Sequence, residues 1–97
     1  MAYYVLLVNF TDQGVRAVRD TPKRAEAFKA MAEKSGAKVH TLLWTLGQHD
    51  VVSIVEAADD LAATALSLSV SELGNVKTQT LRAFDAADMQ QIIGKMA

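Results

Sequence analysis

The segment Trp44-Thr45-Leu46-Gly47-Gln48-His49-Asp50-Val51-Val52 joins two apolar, β-prone runs across a short polar turn holding a single glycine. This is the pattern of a β-hairpin. Set among the neighbouring runs, the hairpin gives the order strand, helix, strand, strand, helix, strand. That order constrains the architecture far more tightly than any residue constrains a chemistry.

Tyr3 to Phe10 is aromatic and β-branched and ends in Thr11-Asp12-Gln13-Gly14, so it reads as the first strand. Tyr4, Leu6, Val8 and Phe10 point one way and Tyr3, Val5 and Leu7 the other, so both faces of this strand are apolar. Gln13 to Arg19 reads as a short helical turn with Val15 and Val18 inward. Thr21-Pro22 supplies an N-cap hydroxyl ahead of a proline, and Ala25, Phe28, Met31 and Ala32 recur at helical spacing until Ser35-Gly36.

Lys38 to Leu46 and Asp50 to Glu56 are the hairpin arms. Asp59 or Asp60 caps a second helix with Leu61, Ala65, Leu66 and Leu68 on its apolar side, and Gly74 ends it. Val76 to Phe84 is a fourth strand, and Asp85 caps a last helix bearing Met89, Ile92, Ile93 and Met96. The order is that of an α+β, ferredoxin-like βαββαβ fold with a C-terminal helix, an antiparallel sheet and both main helices on one face.

The other face then stays bare. Tyr3, Val5, Leu7, Leu43, Val51 and Val55, or their opposite-phase neighbours, form an apolar patch larger than a monomer of this size normally exposes. The chain has 97 residues, no cysteine and 51% hydrophobic residues, which fits one domain over residues 1–97 whose surplus apolar surface neither disulfide nor thiolate metal site supplements. Burial against another copy of the chain is the expected remedy, making it a homo-oligomer.

A formal charge of −1 from interspersed acids and bases gives no reason to expect nucleic acid or a membrane as partner. The N-terminal apolar run is too short for a membrane span or a signal-peptide core, so the expected location is cytoplasmic.

The hairpin segment resembles the one that gives the GYD-domain family of small bacterial proteins its name. The likeness extends to the first strand ending Val8-Asn9-Phe10-Thr11, the helix start Asp20-Thr21-Pro22-Lys23-Arg24-Ala25, and Gly74-Asn75-Val76-Lys77-Thr78-Gln79-Thr80-Leu81-Arg82-Ala83-Phe84. The resemblance implies a ferredoxin-like fold of the dimeric α/β-barrel type and no established biochemical activity. The family's Gly-Tyr-Asp signature corresponds here to Gly47, His49 and Asp50, with Gln48 between and histidine in place of tyrosine, so the phenol is gone.

Gly47 is expected to take positive φ in the turn, and Asp50 to accept hydrogen bonds from turn amides. His49 and Asp50 could instead stand at a pocket mouth, although adjacent strand residues point to opposite faces. His40 and Trp44, four apart on one strand, share a face, as do Thr78, Thr80 and Arg82. An aromatic ring with a histidine and an arginine suits a small planar anion, whereas the simpler reading makes Trp44 a core or interface residue and His40 and Arg82 solvated ones.

Arg16, Arg19, Lys23, Arg24 and Lys29 form the densest positive region. It can receive a phosphate or carboxylate, but is as well explained by solvated charges offset by Asp20 and Glu26. Two histidines without cysteine, HExxH motif or paired-carboxylate helix leave no metal site, no cofactor is implied, and no nucleophile elbow surrounds Ser53, Ser67, Ser69 or Ser71.

The leading expectation is a protein that self-associates through its open sheet face and holds a small ligand in the space so enclosed, with His40, Trp44, His49, Asp50 and Arg82 as candidates. The alternatives are a cofactor-free monooxygenase or isomerase acting on an aromatic substrate, and an assembly or regulatory module. His49→Tyr, which restores the family's usual residue, is expected to preserve fold and oligomeric state, as checked by thermal melts and size-exclusion chromatography.

Overall fold

The computed structural model describes all of residues 1–97. Strands β1 (Ala2–Phe10), β2 (Lys38–Trp44), β3 (Val51–Ala57) and β4 (Val76–Ala83) form one antiparallel sheet in the order β2-β3-β1-β4. Helices α2 (Thr21–Lys34) and α3 (Asp60–Ser71) cross one face, preceded by the short helix α1 (Asp12–Arg16) and a 3-10 turn (Val18–Asp20), and α4 (Ala86–Gly94) ends the chain. This is the expected α+β, ferredoxin-like fold.

Register explains which side of each strand is buried. On the helix side, rows of partners run Val39-Val55-Tyr4-Arg82, Leu42-Ser53-Leu6-Thr80 and Trp44-Val51-Val8-Thr78. Tyr4, Leu6, Val8, Ser53 and Val55 are buried there with Phe28 and Ala32 of α2 and Ala63 and Leu66 of α3. The opposite rows, Thr41-Ile54-Val5-Leu81 and Leu43-Val52-Leu7-Gln79, lie on the face without helices. Leu43 there is 59% exposed and Leu81 41%. Val51 and Val55 thus belong to the core, and their neighbours Val52 and Ile54 take the open positions.

A β-bulge decides the phase of β2. Val39 pairs with Val55 and Thr41 with Ile54, so His40 is an extra residue between two consecutive partners. Past it the alternation reverses, carrying Leu42 and Trp44 to the helix side and Leu43 to the open side.

Three local expectations are corrected. Val15 and Val18 are 54% and 40% exposed, because α1 turns Gly14 rather than Val15 inward, against Asn75, and the 3-10 turn has no buried residue. Thr21 is the first residue of α2, not its cap, since Asp20 precedes the helix without a side-chain capping bond. In α3 only Leu66 of the expected stripe is buried. Leu61 is 82% exposed and Leu68 64%, while Ala63 and Ser67 face the sheet, where a close helix-to-strand approach favours small side chains. The Ser67 hydroxyl, 2.9 Å from Thr80 Oγ1, is satisfied there.

Asp59 caps α3 by accepting from the Ala62 amide at 2.9 Å. Asp85 and Asp88 form a capping box at the start of α4. No residue of α4 is buried, and Met89, Ile92, Ile93 and Met96 are exposed.

The Tyr4 hydroxyl donates to Asp60 Oδ1 at 2.6 Å, tying the central strand to the start of α3. Burial, reinforced by this bond and the Asp60 charge, pushes the Tyr4 phenol up to about 12. The folded state therefore holds this proton where the unfolded chain has lost it. The stabilisation is complete below about pH 10 and declines as pH rises toward 12. Comparing urea melts of wild type and Tyr4→Phe over that range is expected to show a shallower alkaline loss in the variant.

Gly14 meets the β4 entry so closely that an added Cβ would lie 2.0 Å from the Asn75 carbonyl oxygen. Gly14→Ala is expected to cost about 1–3 kcal/mol, lowering the melting temperature by roughly 5 °C or more.

Candidate functional site

The Gly47 turn is built as a clasp on the end of β1. Gly47 has φ +108°, the conformation expected of it. The Asp50 amide donates to the Val8 carbonyl at 2.8 Å, and Asp50 Oδ2 accepts the Phe10 amide at 2.8 Å. The amide that Asp50 receives is thus from β1 and not from the turn itself. Thr45 closes the loop, its amide donating to the Asp50 carbonyl at 2.9 Å and its hydroxyl to the His49 carbonyl at 2.5 Å.

His49 is held differently. The Asn9 side-chain amide donates to the Gln48 carbonyl at 2.7 Å, so Asn9 Oδ1 faces the imidazole and His49 Nδ1, 2.9 Å away, must donate to it. That arrangement leaves the Nε2 lone pair free in the neutral ring. His49 and Asp50 make no pair with each other.

The bulge separates the two residues expected to share a face. His40 lies on the open side, its Nε2 donating to Glu56 Oε1 at 2.5 Å and its ring 5.7 Å from that of Tyr3. Trp44 lies on the helix side, its indole donating to Thr21 Oγ1 at 3.1 Å. Thr78, Thr80 and Arg82 do share the helix side. Arg82 is at the far end, with its guanidinium 4.6 Å from the Phe84 ring and 5.6 Å from the Tyr4 ring, and donates to the Ala83 carbonyl. The trio of Trp44, His40 and Arg82 is therefore not one cluster.

Trp44 and Thr78 instead line an apolar cavity of about 120 Å³ between α2 and α3, floored by Leu6, Val8 and Val51. Thirteen of its 18 lining residues are hydrophobic, among them Phe28 and Met31. The polar groups at its border include Thr21, Arg24 and Asn75. Arg24, read from sequence as one charge in a solvated cluster, is half-buried and donates to the carbonyls of Ala17 at 2.8 Å and Gly14 at 3.2 Å, with its guanidinium 6.0 Å from the Phe10 ring. The three-residue spacing of Thr21 and Arg24 on one helix signals their juxtaposition. Asn75 joins them from a distant part of the chain, with no local signal. No group of three or more His, Asp or Glu side chains is placed to hold a metal ion.

Comparison with known proteins places this geometry in a family. The chain is 31% identical over 90 residues to a Thermus thermophilus protein described as a glutamine synthetase and cystathionine β-lyase binding protein, covering 92% of this chain and 95% of that one. In structure it resembles a feast or famine regulatory protein from M. tuberculosis complexed with L-methionine, with TM-score 0.66, 17% identity, and coverage of 89% of this chain and 52% of that one. It also resembles a homoserine dehydrogenase from Thiobacillus denitrificans, with TM-score 0.61, 17% identity, and coverage of 87% of this chain and 17% of that one. These two share the fold over part of their length. The GYD domain model matches residues 4–93, and the chain belongs to the GYD-domain family.

Proposed function

We propose that this protein is a self-associating binding module. Two copies pair through the open sheet face, and each holds a small ligand in the cavity between α2 and α3. The observation that carries this reading is the uncovered face itself. Its middle rows contain Val5, Leu7, Val52, Ile54, Leu43 and Leu81, flanked by Lys38, His40 and Glu56 at one end and Asn9 and Lys77 at the other. An apolar centre with a polar rim is the anatomy of an interface between chains. The exposed apolar stripe of α4 adds a second surface that a partner copy can cover.

A binding role accords with the description of the Thermus relative, and a ligand-linked role with the regulator whose fold this chain shares. By analogy with that relative, the surface left outside the paired faces would dock on a metabolic enzyme. The five candidates His40, Trp44, His49, Asp50 and Arg82 would then divide between roles: Trp44 at the ligand, His40 at the rim of the paired face, and His49, Asp50 and Arg82 in positioning the turn and the β4 end.

Sedimentation of the wild-type chain at micromolar concentration is expected to give a dimer or higher species. Ile54→Asp should raise the dissociation constant by roughly tenfold or more, since it sets a charge in the apolar centre. Leu61→Asp on the outer side of α3 should leave the mass unchanged. A wild-type chain that sediments as a lone subunit would overturn the pairing.

A further inference from the structure

We propose that the cavity between α2 and α3 is specific for a small aromatic monocarboxylate, ring inward and carboxylate at the border formed by Arg24, Thr21 and Asn75. This rests on the reading of the cavity as a ligand seat and names the chemistry it selects.

The border presents unspent donors. The Thr21 hydroxyl oxygen accepts from Trp44 Nε1, which leaves its own hydrogen free. Arg24 commits one N–H to Ala17 and one to Gly14, so three of a guanidinium's five remain. It has no carboxylate within salt-bridge distance, as the ion pairs are Lys29 with Glu26 and His40 with Glu56. Asn75 Oδ1 accepts from Gln13 Nε2 at 3.0 Å, which leaves the Asn75 amide hydrogens without a partner.

No aspartate or glutamate lines the cavity. A border of donors around one uncompensated positive charge complements a group that only accepts and carries negative charge, and Arg24 can meet a carboxylate with two N–H groups. The interior sets the rest of the molecule. A volume of about 120 Å³ is close to the cavity of about 150 Å³ that takes up benzene in another protein. A second charge on the ligand would sit among Leu6, Phe28 and Met31 without a partner, at large desolvation cost.

Trp44 is the only tryptophan and lines the cavity, so its fluorescence reports occupancy. The intact protein is titrated with phenylacetate, its neutral isostere phenylacetamide, and inorganic phosphate, with melting temperature as a second readout. Phenylacetate is expected to saturate and to bind roughly tenfold more tightly than phenylacetamide, the size of one charge-assisted bond. Arg24→Met should bring the two within about twofold, chiefly by weakening phenylacetate. Should that variant not fold, Thr21→Val, expected to weaken phenylacetate alone, takes its place.

Equal binding of acid and amide would overturn the carboxylate specificity and leave the ligand seat standing. Phosphate binding as tightly as phenylacetate would overturn the aromatic requirement. No response to any of the three in fluorescence or melting would overturn both the specificity and the ligand seat.

Discussion

The sheet has two apolar faces and helices for one. β1 occupies the middle of the order β2-β3-β1-β4, and its residues alternate between Tyr4, Leu6 and Val8 under the helices and Tyr3, Val5 and Leu7 on the other side. Every later feature answers to this division. The helix side is where α2 and α3 bury the core and leave room for a cavity between them. The open side carries a second apolar face with no helix over it, and at about 25 cal/mol per Å² of apolar surface removed from water its covering would be strongly favoured.

The two sides are also electrically distinct at their polar borders. On the open side His40 donates to Glu56 beside Tyr3, with Lys38 across from Glu56, so the carboxylate at that end of the face has partners of its own. On the helix side Arg24 gives two of its five N–H groups to backbone carbonyls, which hold the guanidinium in place without cancelling its charge. The first arrangement suits a rim that must be desolvated against another surface, and the second suits a seat for an anion. His49, bound through Nδ1 to Asn9, and Asp50, bound to the Phe10 amide, anchor the intervening turn.

Much of the fold is legible in the sequence because its signals are local. The element order, the Asp59 and Asp85 caps and the positive φ of Gly47 each follow from a few adjacent residues. The strand phase beyond Val39 does not, because the bulge at His40 is set by register against β3. That single residue is why His40 and Trp44, four apart, face opposite ways. The apolar stripe of α3 misleads for another reason: Leu61 and Leu68 look like core, yet the close approach to β4 admits Ala63 and Ser67 instead. In the candidate site Trp44 is visible as a lone aromatic, and Arg24 is hidden in a run of charges whose members differ only in what the folded backbone offers them.

The bulge has a further consequence at the margin of the sheet. β2 and β4 are the outer strands, and an outer strand with a regular ladder of free amides and carbonyls invites endless strand-on-strand stacking of neighbouring chains. The extra residue at His40 breaks the spacing of that ladder on one margin, and Lys77 and Arg82 charge the other. Growth into fibres by edge addition is thereby discouraged on both sides, so that the adhesive part of the sheet is its uncovered apolar face and not its margins.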